Sequence, residues 1–269
     1  MISLDKEKET LWIPLYGKAR ESQKKSPILK DPKAEEIIGR IDLDFKSLNI
    51  PEKTNTMMCL RAKLFDNYVR NFLDKSGHTV VIHLGCGLDS RYDRIQQTHV
   101  QWFDLDFEEV ISLRKKFYSE SETYHLIPSS VTDKSWIESI PTGYDDYLVI
   151  AEGLFMYLRE AEIKTLLRAL KESIGPYTLI FDAFSTYTAK RISRHPSLKK
   201  TGASIQWGID DPDHLTTWDP HIRWEKVIWL TSNEEIQHLD MITRLIYKIA
   251  HLFPMARKAH RILIYSVHS

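Results

Sequence analysis

Residues 80–91, VVIHLGCGLDSR, constrain this chain more than any other stretch. A branched, apolar run enters Gly85-Cys86-Gly87 and leaves through polar residues able to open a helix. A strand buried on both faces reads this way, and the glycines predict a tight turn where a ligand can approach the backbone. About twenty residues on, a second apolar segment ends in Asp104-Leu105-Asp106, where a carboxylate can accept from both hydroxyls of a ribose. Asp106 is the preferred acceptor and Asp104 the other candidate; capping the next helix is the plain alternative for either. Turn and carboxylate together predict an adenosine-type cofactor.

The flanking pattern alternates. Strands are expected at 80–84, 101–105, 124–127, 147–151 and 177–184, with helices at 107–119 and 160–173. The second helix puts Ile163, Leu166, Leu167, Leu170 and Ile174 on one face and stops at Gly175-Pro176. Before the glycine turn, helices are expected at 6–23, 33–41 (opened by Asp31-Pro32) and 54–75. After 184 come a polar, aromatic stretch, two strands at 224–230 and 261–267, and between them a helix at 234–252. Strand–helix repeats of this length predict a doubly wound α/β fold: a Rossmann-like, mostly parallel sheet of seven strands with helices on both faces. The organisation expected is one domain over 1–269: an N-terminal helical extension (1–79), a cofactor-binding core (80–184), a lid (185–223) and closing strands (224–269).

Composition limits the function. Lys plus Arg and Asp plus Glu both number 37, so no basic surface is available overall for nucleic acid. Two cysteines make a disulfide framework implausible and favour a reducing compartment. No apolar run approaches the roughly 20 residues of a membrane span, and the first residues lack a signal-peptide core. A cytoplasmic protein with no membrane partner is expected. The eleven histidines show no ligand spacing, so no metal is expected, and no Gly-x-Ser-x-Gly elbow suggests a serine hydrolase.

Two charged residues stand out by position. Arg61 falls within the apolar stripe of Met57, Leu64, Phe65, Tyr68 and Phe72. A guanidinium there must find acidic partners, either a structural ion pair or the carboxylate of a cofactor or substrate. Glu152 ends the run Leu148-Val149-Ile150-Ala151, at the strand edge where open α/β sheets bind ligands. Ser90 occupies the place of the third glycine in the dinucleotide fingerprint, which weakens an alternative reading as a nicotinamide-dependent oxidoreductase.

The ordered set KARES, SPILKDPKAEEII, LRAKLFD, VIHLGCGLDSR, FDLDFEEV and AEGLFMYL resembles the leucine carboxyl methyltransferase family, in particular its bacterial polyketide O-methyltransferases. The resemblance runs from about residue 15 to 158. It implies S-adenosylmethionine as cofactor and methyl transfer to a carboxylate or other oxygen, with a small carboxylic acid as the expected substrate. The C-terminal carboxylate of a protein is the alternative acceptor. It further implies that Lys18 and Arg61 hold the cofactor's carboxylate, Gly85 and Gly87 its backbone side, Asp106 the ribose and Glu152 the methionine side. Ser130 and Val131 stand where the family often carries an Asp-Leu pair beside the adenine, with Asp133 nearby. Carboxylate acceptors are already ionised at neutral pH and need no catalytic base. For a phenolic acceptor, Tyr157 (the candidate facing the substrate), His214 and His221 are the groups to inspect.

Overall fold

The computed structural model describes residues 9–97, 99–193, 204–232, 236–237 and 239–269. Seven strands form one sheet in the order β3-β2-β1-β4-β5-β7-β6. They are β1 (Thr79–Leu84), β2 (Val100–Asp106), β3 (Tyr124–Pro128), β4 (Asp146–Ala151), β5 (Tyr177–Phe184), β6 (Ile222–Trp229) and β7 (His260–Val267). The first five run parallel, and β7 enters antiparallel between β5 and β6. The strand order reverses between β1 and β4, so the ligand crevice of such a sheet opens beyond Leu84 and Ala151.

Alternation divides the sheet's side chains between two cores. On one face Val81, Trp102, Leu148 and Ile180 meet the N-terminal helices α1 (Glu9–Ser22), α2 (Pro32–Gly39) and α3 (Glu52–Leu73). On the other, Val80, Ile82, Phe103, Val149 and Phe181 meet α6 (Glu160–Ile174). All five residues of the predicted α6 stripe are buried, and Gly175 ends the helix at φ +77°. Asp31 caps α2, its carboxylate accepting from the Ala34 amide at 2.9 Å with Pro32 at the first helical position.

Several boundaries differ from the sequence reading. The helix expected at 107–119 is the shorter α5 (Glu108–Arg114), after which reverse turns through Phe117 and Tyr118 release the chain toward β3. The residues after the glycine turn open a helix as expected, the short α4 (Arg91–Ile95), whose extent the pattern could not set, and α7 (Thr186–Ser193) was not expected. Five residues give too few periods for a hydrophobic pattern to register. The helix expected at 234–252 is α8 (Met241–Leu252), capped by Asp240, and α9 (Pro254–Lys258) follows it; residues 233–235 and 238 lie outside the described residues. Residues 1–8 of the first expected helix also lie outside them.

Of the lid expected at 185–223, residues 194–203 lie outside the described residues, and the described part is fastened to the fold. Gln206 and Trp207 donate their amides to the Met156 carbonyl, and Trp207 and Leu215 are buried in the second core. Arg261 and the Tyr265 hydroxyl donate to the carbonyls of Ile209, Asp210 and Pro212.

The cap closes on the sheet through tight contact between α1 and α3. A Cβ at Gly17 would stand 2.3 Å from the Asn55 Oδ1, closer than any real contact. Gly17→Ala is therefore expected to destabilise the protein by about 1–3 kcal/mol, as overpacking of a close helix pair does. A urea titration followed by circular dichroism measures this.

Candidate active site

The turn after β1 carries the two glycines in left-handed conformation, Gly85 at φ +63° and Gly87 at φ +52°. Side chains resist both angles, so the residue type here is set by the backbone. Cys86 donates its amide to the Leu105 carbonyl at 3.1 Å, and Gly87 donates its amide to Asp106 Oδ2 at 2.7 Å. The turn is thus tied to the tip of β2. Asp106 Oδ1 accepts from the Phe107 amide at 2.8 Å, and burial lifts the carboxyl above its ordinary pKa. Two backbone donors leave lone pairs on this carboxylate for further hydrogen bonds. Phe107, the next residue, is 58% exposed.

Asp104 has another role. It is fully buried and accepts from His83 Nδ1 at 3.0 Å, Trp102 Nε1 at 2.9 Å, the Tyr124 hydroxyl at 2.6 Å and the Arg114 guanidinium. Arg114 also donates to the Gly87 carbonyl at 3.0 Å, fixing the glycine turn from beneath. Asp104 therefore supports the turn structurally and is not the ribose acceptor. Its position one pair deeper in the strand, with four donors around it, leaves no access for a ligand.

Arg61 projects from α3 to the crevice. Its Nε donates to Glu152 Oε1 and its Nη1 to Asp182 Oδ2, both at 2.9 Å. Its remaining Nη2 lies 3.4 Å from where a Cβ of Gly153 would stand, and Gly153 has φ +67°. Burial works against the Arg61 charge, but Asp182 and Glu152 outweigh it and raise the pKa. The structural ion pair weighed from the sequence is thus present, and one edge of the guanidinium still borders the crevice.

Glu152 is shared. Its second oxygen meets Arg91, which also reaches Asp66 Oδ1 at 2.9 Å and Asp89 Oδ2 at 3.2 Å. Arg94 continues the series to Asp66 at 2.6 Å, and to Asp31 and Asp89 at 2.8 Å each. Lys18, almost wholly buried, bonds Asp89 Oδ1 at 2.8 Å. At the other end His260 Nε2 lies 2.6 Å from Asp182 Oδ2. Four cations (Lys18, Arg61, Arg91, Arg94) thus face five carboxylates (Asp31, Asp66, Asp89, Glu152, Asp182) in one chain crossing α1, α3, the glycine turn, β4 and β5. Burial raises the Asp89 and Glu152 carboxyls, but the neighbouring guanidiniums prevail and hold both below their ordinary values.

The expected residues Lys18, Arg61, Gly85, Gly87, Asp106 and Glu152 therefore gather at or beneath the β1/β4 edge. Ser130 and Val131 lie in the loop after β3, which is tied to the Asp106 carbonyl through the Ser129 amide at 2.9 Å. The Ser130 hydroxyl sits 2.8 Å from the Thr132 hydroxyl, and Val131 is buried. Asp133 accepts from the Ser135 amide and caps a short 3-10 turn. Tyr157 is 37% exposed, within the field of Arg61 and Asp182, and burial raises its pKa. His214 and His221 are exposed and pair with Glu160 and Asp219.

Sequence reasoning missed Phe107, Arg91, Arg94, Asp182 and His260. An aromatic directly after the acid of β2 could have flagged Phe107. Ser90 could have been read positively: its hydroxyl donates to Asp31 at 2.6 Å, tying the turn to the α2 cap where a glycine would offer nothing. Asp182 and His260 carry no local signal; they meet only because β5 pairs with β7.

Solved structures share this architecture. A DUF574 family protein from Streptomyces avermitilis aligns over 98% of this chain and all of its own, with TM-score 0.61 and 9% identity. The plantazolicin methyltransferase BpumL aligns over 97% of this chain and all of its own, with TM-score 0.51 and 13% identity. The leucine carboxyl methyltransferase model matches residues 13–171, more than half the chain. Fold, edge and family match together define an enzyme, an S-adenosylmethionine-dependent methyltransferase. The chain belongs to the leucine carboxyl methyltransferase family. It is 33% identical, over 96% of both chains, to the tetracenomycin polyketide synthesis O-methyltransferase TcmP of Streptomyces glaucescens. It is 26% identical to the S-adenosyl-L-methionine-dependent methyltransferase dpfgK of Gibberella zeae, over 94% of this chain and 92% of that one.

The buried acids make stability pH-dependent. Burial raises the Asp104 carboxyl, but Arg114 and His83 overcome it and bring the folded value down to about 2 from 3.8. A depressed folded pKa contributes stability that is complete above the unfolded value and lost as pH falls toward the folded one. Unfolding stability should therefore hold above pH 3.8 and decline toward pH 2. Asp104→Asn should be less stable at neutral pH and show a shallower acid limb in urea titrations across that range.

Proposed function

We propose that this enzyme methylates a carboxylate oxygen of a small organic acid. The cofactor cleft of that reading is walled by Arg61, Gly85, Gly87, Asp106, Ser130, Val131 and Glu152, with Lys18 behind it on Asp89 rather than at the cofactor's carboxylate. The observation that carries it is the convergence at the β1/β4 edge of a glycine turn, a carboxylate with backbone donors only, and the Arg61–Glu152 pair. TcmP is named an O-methyltransferase of polyketide synthesis, and similarity along nearly its whole length supports a small-molecule oxygen acceptor here.

The residues present suit the cofactor. Asp106 accepts the ribose hydroxyls with its remaining lone pairs, and Gly85 and Gly87 let the nucleoside lie against the backbone. Phe107 offers an exposed ring face to the adenine, a contact worth more than area alone. Ser130 and Val131 border the adenine edge. Arg61 turns its Nη2 edge to the amino-acid carboxylate, and Glu152 receives the ammonium side. Lys18 acts through Asp89, steadying the turn. Five paired carboxylates face four cations here and Asp106 adds a sixth acid at the strand tip, an acidic excess that favours a cationic ligand. S-adenosylmethionine supplies a methyl group on a positively charged sulfur. The protein's part is to align that carbon with the acceptor oxygen and to exclude water. A carboxylate acceptor, ionised near pH 4, needs no proton removed.

One observation favours a second reading, a phenolic acceptor. His260 is oriented by Asp182 through Nε2 at the same edge, which leaves Nδ1 to take a proton. The two readings separate by pH: a carboxylate acceptor gives a methylation rate flat through neutrality, and a phenol gives a rate that rises with pH and falls in His260→Gln.

Calorimetry with S-adenosylhomocysteine tests the cleft. Asp106→Ala and Arg61→Ala should each weaken binding more than about tenfold, roughly 1.4 kcal/mol. Because Arg61→Ala leaves buried acids uncompensated, Asp106→Asn and Phe107→Ala provide folded variants. Unchanged affinity in both removes the site assignment.

A further inference from the structure

We infer that the surface formed by α8 and α9 docks on an anionic phospholipid surface. Helix α8 is amphipathic in the inverted sense. Met241, Ile242, Leu245, Ile246, Ile249 and Leu252 are between 49% and 77% exposed. Its inward side is represented by Tyr247, buried at 4% with its hydroxyl against the Met57 sulfur of α3. Phe253 and Met255 extend the outward stripe into α9 at 60% and 68%. Eight of the thirteen large apolar side chains exposed among the described residues thus fall within fifteen positions. Scattered apolar residues are ordinary; a contiguous stripe marks an interaction surface.

Charge selects the occupant. The chain as a whole is neutral, yet residues 241–269 contain no Asp or Glu and five Lys or Arg. Four of these, Arg244, Lys248, Arg257 and Lys258, lie on α8 and α9, while Arg261 is buried. Lys248 and Arg244 follow the stripe on one flank of the helix, where a long cationic side chain can reach headgroups while its neighbours enter the acyl boundary. A second copy paired about a two-fold axis would bring this acid-free surface against itself, like charge to like. Nucleic acid would answer the charge but leave the apolar stripe in water.

No helix among the described residues is long and apolar enough to cross a membrane. The sequence expectation of no membrane partner rested on that criterion, which does not address a helix lying in the interface plane. The surface also adjoins the active site. Helix α8 packs on α3, which carries Arg61, and α9 leads into β7, whose His260 bonds the Asp182 that holds Arg61. An acceptor dissolved in the bilayer would meet the enzyme close to the crevice.

Sedimentation of the full chain with phospholipid vesicles tests the docking independently of methyl transfer. Binding to vesicles of phosphatidylcholine and phosphatidylglycerol in equal parts should exceed binding to phosphatidylcholine alone by about tenfold or more, and weaken with salt. Ile242→Ser with Leu245→Ser and Ile249→Ser should abolish it, and Lys248→Glu with Lys258→Glu should remove the preference for anionic lipid. These side chains are exposed, so the circular dichroism melt and the affinity for S-adenosylhomocysteine should not change. Failure of the unmodified protein to pellet with anionic vesicles overturns the inference. So does a dimer in analytical ultracentrifugation that Leu245→Ser dissociates without any vesicle binding, which would assign the stripe to a second copy.

Discussion

Arg91 is the residue on which the architecture of this edge turns. Its guanidinium joins Asp66 of α3, Asp89 of the glycine turn and Glu152 at the end of β4, at a place where its own side chain has no solvent contact. Charges at such depth persist only when each is paired and hydrogen-bonded on all sides. The partners come from separate segments, so the helical cap, the turn and the central strand cannot shift independently. A pair of this kind is weak evidence of net stability, since well-packed apolar residues can often replace it without loss.

The consequence is a preorganised cleft. Arg61 and the glycine turn are held by groups deeper in the molecule: Gly87 by Arg114, Arg114 by Asp104, Arg61 by Asp182 and Glu152; Asp106 is fixed in turn by the Gly87 and Phe107 amides. Direct displacement gains chiefly from alignment, and alignment requires supports that do not relax. Helix α1 contributes from above, where Leu11 Cδ2 approaches within 3.4 Å of the place a Gly87 Cβ would occupy. The cap is therefore packed directly against the glycine turn.

Much of this was legible beforehand where the signal is local. The run Val80–Leu84 followed by two glycines has few conformations open to it, and the stripe Ile163-Leu166-Leu167-Leu170-Ile174 can bury itself only as a helix. Arg61 announced a need for partners by sitting on an apolar face, though not that Glu152 and Asp182 supply them. Local pattern preferred Asp106 to Asp104 but could not say what the earlier acid does. Both lie on the same side of β2; the donors assembled from β1, β3 and α5 enclose Asp104 as a support, while Asp106 at the strand tip meets backbone amides only.

The amino-acid sequence by itself determined the fold class, the glycine turn, the acid at the tip of β2 and the family, because each rests on short-range spacing or on an ordered set of motifs. Tertiary structure alone decided which charges meet. Asp182 and His260 stand 78 positions apart and share a proton's distance only because β7 inserts beside β5. It also decided that the apolar stripe of α8 faces outward, since periodicity gives a helix its two faces but not which of them the rest of the molecule will cover.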